Sequence, residues 1–286
     1  MPPLANFTSS SSLKGPILAS LFIKSVATLA GIGLSASLAA SEYEVQKTWE
    51  FGLGVGAVAG PDYRGSDESR SYVAPIPYVV YRGKIIQSDR DGVRGQFIKT
   101  DNYEFTLSLS ANITPESHKN GLRRDLDLPE LGSTIEIGPA VNIRLFGESL
   151  TQGLQLSLPA RAVFSIGGDE SGYIGSLFQP QLIYRERLGN WGFAWRSSLT
   201  WATEDYHEYY YNIGAANATE QFNAYSAKAG YSGWANQASL GRQLGDWRLA
   251  FFVRHDYLGG TEFEDSPLVK TKHATRGGLA LIWVFQ

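Results

Sequence analysis

Four histidines are where catalysis would be sought in a chain that has no cysteine. His207 stands beside Glu204, Asp205 and Glu208, and His255 precedes Asp256, so an Asp-His pair for hydrolysis can be drawn at either place. His118 and His273 complete the set, and all four fall in loops or at the ends of expected strands. No serine occupies a G-x-S-x-G elbow, and no H-E-x-x-H or comparable spacing offers a metal site. Without cysteine there is no thiolate nucleophile, no thiolate ligand and no disulfide. Acidic neighbours of surface histidines are common by chance, so the expectation is a chain with no catalytic residue, no metal site and no cofactor.

Two other groups of residues bear on function. Tyr206, Tyr209, Tyr210 and Tyr211 lie together in EDYHEYYYNI. They offer a rim aromatic surface for a partner, or they mark a membrane interface. The second group is charged: Glu50, Glu104, Glu136, Arg144, Arg161, Arg196, Arg248, Arg254 and Arg276 each alternate with apolar neighbours. Only strands with a common inner face bring them into one space.

The strands are readable. Tyr103 to Ile113, YEFTLSLSANI, puts Tyr103, Phe105, Leu107, Leu109, Ala111 and Ile113 on one face and Glu104, Thr106, Ser108, Ser110 and Asn112 on the other. A period of two belongs to a β-strand, and a tilted strand of about 9 to 11 residues crosses the hydrocarbon of a bilayer. Similar alternation recurs over Thr48 to Ala59, Thr134 to Leu145, Leu154 to Phe164, Trp191 to Trp201, Gly233 to Gln243, Trp247 to Tyr257 and Ala274 to Phe285. SYVAPIPYVVY carries Pro75 and Pro77, which cannot donate to a ladder, so bulging, weak pairing or a seam is expected there. Weaker strands are expected near Ile85 to Asp89 and Val93 to Ile98, and Tyr173 to Glu186 should change phase near Pro180. In the first strand Gly52, Gly54 and Gly56 form an inner row against which something bulky can lie.

The segment 114–133 reads as a solvent-facing loop or lid, and 203–232 as an outer loop with structure of its own. Short connections at RGK, KTDN, GESLTQ, LGN and LGD are interspersed with long ones. Short turns on one side and long loops on the other are the arrangement of an outer-membrane barrel. The expected fold is therefore all-β: a closed antiparallel transmembrane β-barrel of about 12 strands.

Composition agrees. The chain of 286 residues has 31 glycines, 13% aromatic and 19% charged residues, and a net charge of −3. No basic run points to nucleic acid. Lys14 and Lys24 precede the apolar run Ser25 to Leu38, which ends in small residues; this reads as a signal peptide over residues 1–40, cleaved after Ala39 or Ala40. Residues 41–286 would then be the barrel, in contact with outer-membrane lipid. Inside it, six arginines face three glutamates. That excess suits a narrow pore favouring anions, or charges that pair and fill a barrel too small to conduct, and filling is the favoured expectation.

The run GPDYRGSDESRSYVAPIPYVVYRG, residues 60–83, resembles the N-terminal signature of the MipA/OmpV outer-membrane proteins, in which a P-x-Y-x-G-S loop leads to a P-x-P strand. YYYNI, DSPLV and the closing GGLALIWVF are similar to later landmarks, so the resemblance spans residues 48–286. It implies a protein of the Gram-negative outer membrane that acts as a scaffold. The family's namesake holds a lytic murein transglycosylase together with a penicillin-binding protein; other members are described as antigens, adhesins or porin-like proteins. The resemblance supplies no catalytic residue. A non-enzymatic scaffold is the first expectation, a channel for small solutes the second, and a surface adhesin or rim hydrolase a distant third.

Overall fold

The computed structural model describes residues 49–82, 86–89, 92–112 and 121–285. The expected signal peptide over 1–40, His118 and the end of the Tyr103 to Ile113 strand at Ile113 lie outside the described residues. Thirteen strands follow in order: β1 Trp49–Pro61, β2 Ser69–Arg82, β3 Ile86–Asp89, β4 Gly92–Lys99, β5 Tyr103–Asn112, β6 Ser133–Ser149, β7 Gln152–Ile166, β8 Gly172–Phe178, β9 Gln181–Leu188, β10 Trp191–Ala202, β11 Gly230–Leu244, β12 Trp247–Tyr257 and β13 His273–Phe285. Two short helices, α1 Gly121–Asp125 and α2 Glu204–Tyr211, lie in the loops. No described helix is long and apolar enough to cross a membrane.

All strands belong to one antiparallel sheet in which successive strands pair, with β13 on β1 and a further ladder from β10 to β11. The connections β1–β2, β10–β11 and β12–β13 therefore lie at one end of the sheet, and the tight turns β6–β7, β9–β10 and β11–β12 lie at the other. The phase change expected within one strand near Pro180 takes the form of a break into two strands. β8 stops at Phe178 and β9 starts at Gln181, and the two lie end to end, both pairing with β7 on one side and β10 on the other.

The alternation sorts side chains as the sequence requires. Phe51, Leu53 and Val55 of β1, Leu199 and Trp201 of β10, Phe251 and Val253 of β12, and Leu279, Leu281, Trp283 and Phe285 of β13 all remain exposed. Their neighbours Thr200, Phe252, Ala280, Ile282 and Val284 are buried. Such a band of exposed apolar and aromatic side chains on one face is costly in water and favourable in lipid. β2 departs from expectation on one side. Its pairing with β1 runs from Trp49↔Tyr81 to Pro61↔Ser69 without a bulge, despite Pro75 and Pro77. Among the described residues it meets β3 only through Tyr81↔Ser88 and Arg82↔Gln87. Proline is tolerated where no ladder partner asks for its N–H, which is the seam the two prolines implied.

The glycine row does what its position suggested. Gly54 pairs with Ile282, and a Cβ built on it would lie 2.7 Å from Ile282 Cγ1 and 2.8 Å from Ile282 Cα, besides meeting the Leu281 carbonyl. At Gly52 the Ile282 and Tyr78 side chains both stand 3.2 Å from the same imagined atom. The glycines let Ile76, Tyr78, Ala280, Ile282 and Val284 close into an apolar cluster on the inner face. Gly54→Val is expected to destabilise the folded form by about 1–3 kcal/mol through overpacking. The check is the midpoint of heat-induced unfolding in detergent, followed by the mobility difference between folded and unfolded forms on electrophoresis, with the exposed Val55→Ala as a near-neutral control.

Candidate functional site

Among the described residues, paired and hydrogen-bonded side chains recur along the inner face from the tight-turn end to the long-loop end. Nearest the tight turns, Arg248 donates a hydrogen bond to Glu50 Oε1, Tyr78 donates to the same oxygen at 3.1 Å, and the Arg248 guanidinium lies 5.1 Å from the centre of the Tyr78 ring. Above this, Arg161 Nη1 meets Glu136 Oε2 at 2.7 Å while its Nε donates to Ser108 Oγ at 3.0 Å. Amides and a further arginine add to these contacts, Gln179 near Arg161 and the others nearer the tight turns. Asn142 donates to Glu104 at 3.0 Å, Gln181 to Gln179 at 3.0 Å, Gln179 to Thr200 at 3.1 Å, and Arg185 to Gln155 at 3.1 Å. Nearer the long loops, Asp256 receives Arg254 at 2.8 Å and faces Arg276 at 4.0 Å.

These contacts place seven of the nine expected inner charges in pairs or hydrogen bonds: Glu50, Glu104, Glu136, Arg161, Arg248, Arg254 and Arg276. Arg196 is half-buried on the same face, between buried Ala194 and Ser198. Arg144 is the exception. β5 begins at Tyr103, opposite Ile143, so Arg144 stands just past the β5 ladder while still pairing with Gln155 of β7, and its guanidinium donates to Asn102 Oδ1 at 2.5 Å and to the Glu148 carbonyl at 2.7 Å near the tight-turn rim. Several inner residues were missed. Asp256 follows Arg254 by two positions and so shares its face, a signal present in the alternation. Arg185 was hidden by the phase change at Pro180. Arg64, which donates to the Ser232 carbonyl and hydroxyl at 2.9 Å, comes from the loop after β1 and carries no periodicity.

A second apolar core lies at the long-loop end. Tyr63, Leu126, Leu131, Tyr210, Tyr211, Ile213, Ala227, Leu258, Phe263 and Leu268 come from four connections, and they pack against Val163, Ile174, Leu177 and Ala202 of the wall. Tyr211 stacks on Phe263 with ring centres 3.8 Å apart and planes 6° apart. Polar ends are satisfied locally: the Tyr211 hydroxyl donates to the Arg64 carbonyl and the Tyr63 hydroxyl to the Leu268 carbonyl, each at 3.0 Å, and Arg123 donates to the Tyr210 carbonyl at 3.1 Å. Gly175, at φ 124°, lets α2 approach this closely, since a Cβ there would lie 2.6 Å from the Tyr206 backbone nitrogen.

Two expectations are corrected here. Tyr206, Tyr209, Tyr210 and Tyr211 are not an aromatic surface on display; Tyr210 and Tyr211 are buried and Tyr206 and Tyr209 half-buried, because α2 folds into the loop core. Tyr209 instead spans to the Gly132 amide at 2.7 Å and Ser165 Oγ at 2.8 Å. Nor is 114–133 wholly a solvent-facing lid, since Arg123, Leu126 and Leu131 of its described part are buried.

The acid-flanked histidines do not assemble a hydrolytic pair. Asp256 is inside, whereas His255 lies on the outer face against Thr275 Oγ1 at 2.9 Å, so adjacent positions on one strand point to opposite sides. His207 is fully buried, its Nδ1 lies 2.5 Å from the Lys228 carbonyl and its ring meets Phe263 edge-on at 4.8 Å. Glu204 and Asp205 point to solvent. Among the described residues no group of three or more acids and histidines is placed to hold a metal ion.

Burial holds the His207 imidazole neutral, lowering its pKa from 6.5 to about 4. A group whose folded pKa is depressed contributes stability that is present above its unfolded value and lost as pH falls toward the folded one, here between about 6.5 and 4. The loop core is therefore expected to loosen over that interval, by an amount on the order of 3 kcal/mol for this group. Protease nicking within 203–229 should accelerate as pH is lowered, and His207→Asn should flatten that dependence while raising the rate at neutral pH.

Residues 53–285 match the family described as "MltA-interacting protein MipA". No curated protein matches significantly. Among solved structures, the chain is similar to the COG4313 outer membrane channel from Pseudomonas putida F1, with 13% identity over 87% of this chain and 100% of that one at a TM-score of 0.35. It is similar to the CymD monoaromatic hydrocarbon channel at 11% identity, covering 84% and 88% of the two chains with a TM-score of 0.32. For OccAB3 of Acinetobacter baumannii the values are 13%, 82%, 64% and 0.34. Likenesses this distant carry no argument about what passes through or binds to this chain.

Proposed function

The chain belongs to the MipA family and is an outer-membrane β-barrel protein of a Gram-negative bacterium, and from that premise we propose that it is a closed, non-conducting barrel acting as a scaffold for enzymes of murein turnover. The ladder between β10 and β11 supports closure, since it joins the two ends of an otherwise continuous order of strands. Counting β8 and β9 as one broken strand makes the ring twelve strands round. A ring of that size stands between eight-stranded barrels, which side chains fill, and sixteen-stranded ones, which conduct.

The observation that carries the proposal is the filling itself. Arg161–Glu136, Arg248–Glu50 and Arg254–Asp256 neutralise one another along the inner face of the wall, between near neighbours, and the loop core lies at the long-loop end. Ion pairs of this kind add little net stability over an apolar filling, but removing one partner strands the other at a cost of about 3–5 kcal/mol. Their consequence is a rigid, occluded wall that presents its tight turns to the periplasm. A murein transglycosylase of the kind the family is named for, and a penicillin-binding protein as the resemblance implies, are the partners this reading assigns to that face.

A small-solute channel is the second reading, favoured by the excess of inner arginines over acids. Planar-bilayer recording separates the two: the purified protein is expected to give no steady single-channel steps. Steps whose ion selectivity shifts in Arg161→Gln or Arg254→Gln would overturn the occluded scaffold. Immobilised protein should retain a murein-cleaving or murein-synthesising enzyme from envelope extracts, identified by mass spectrometry, and its absence from the eluate would count against the scaffold role.

A further inference from the structure

On the outer face near the long loops, β12 and β13 bring two imidazoles edge to edge. In their ladder His255 stands opposite Thr275 and His273 opposite Tyr257, so the histidines are diagonal neighbours. His255 Nε2 and His273 Nδ1 are 3.2 Å apart, and the rings are 5.3 Å apart between centres. The remaining contacts orient them. His255 Nδ1 lies 2.9 Å from Thr275 Oγ1, and donation to that oxygen leaves the Nε2 lone pair directed at the gap. His273 rests beside the Tyr257 ring at 5.1 Å. His273, Thr275 and Tyr257 are exposed and His255 is half-buried, so the gap opens to the outside of the wall, at the strand ends next to the long loops.

Two imidazole nitrogens bound at about 2.0–2.1 Å to one ion stand roughly 2.9 Å apart at a right angle and roughly 3.3 Å apart at the tetrahedral angle. The observed spacing falls between these. We propose that His255 and His273 form a two-histidine site for a divalent transition-metal ion of the imidazole-preferring class, zinc, copper or nickel, with water in the remaining positions. The neighbouring acids do not serve it. Asp256 faces inward to Arg254, and Glu264 is held by Lys272 at 3.0 Å and by the Gly260 amide at 2.6 Å. A site of nitrogen donors without carboxylate excludes the hard cations calcium and magnesium. Bound metal would tie the outer ends of β12 and β13 together where the chain leaves the sheet.

The test uses the full mature chain without a histidine tag, folded in detergent micelles and freed of metal, titrated with copper(II) and followed by electron paramagnetic resonance. One equivalent should bind, with splitting from two imidazole nitrogens. His255→Ala and His273→Ala should each abolish the two-nitrogen signal, and Thr275→Val should weaken binding by about tenfold through loss of the orienting oxygen. Electrophoretic mobility of the folded form shows that each variant retains its barrel. A spectrum with one nitrogen or none, or undiminished binding in the double variant, would overturn the site and leave the two rings joined only by a hydrogen bond.

Discussion

The hydrocarbon of a bilayer offers no hydrogen-bond partner, so each backbone N–H and C=O within it must be answered by another strand. The strands form one antiparallel succession in which β13 meets β1 and β10 meets β11. Two places depart from full pairing among the described residues. Prolines at 75 and 77 sit in a strand that meets its second neighbour through only two described pairs, where missing donors cost least. The interruption at Pro180 leaves β8 and β9 sharing the same two neighbours, so the wall continues past the broken strand.

Side chains then have two destinations, and they inherit different chemistry. Outward positions carry Phe, Leu and Trp because lipid replaces the water they would otherwise order. Inward positions carry Glu and Arg at a desolvation cost that only pairing offsets. The same face can be greasy where glycines make room: Gly52 and Gly54 admit Tyr78 and Ile282, and the Tyr78 hydroxyl in turn serves the Glu50–Arg248 pair. Packing and electrostatics thus meet in one cluster. The loop core adds a third environment, in which Tyr211 and Phe263 stack and His207 is kept neutral by burial.

Much of this was legible in the residues. Period-two alternation is a property of the backbone, and it assigned the strands, their faces and most of the inner charges, even the phase change near Pro180. What it does not encode is where a ladder ends or how loops meet. Arg144 has the inward phase of β6, yet it stands past the start of β5, and register between strands is a tertiary fact. The tyrosines of α2 look like a display because they are consecutive, but burial depends on Phe263 and Leu268 arriving from a connection far along the chain. His255 and Asp256 are neighbours in sequence and lie on opposite faces in space; a strand makes that inevitable once its bounds are known. The pairing of His255 with His273 required the register of β12 on β13.

Amide exchange and proton–proton contacts measured by nuclear magnetic resonance in micelles address the ring most directly. Cross-strand contacts are expected between β10 and β11 at Phe193↔Leu240 and Trp195↔Ala238, with amides there as slow to exchange as those joining β1 to β2. Fast exchange along β10 and β11 with no contact between them would mean an open sheet edge in lipid, and the account of a continuous wall would be wrong.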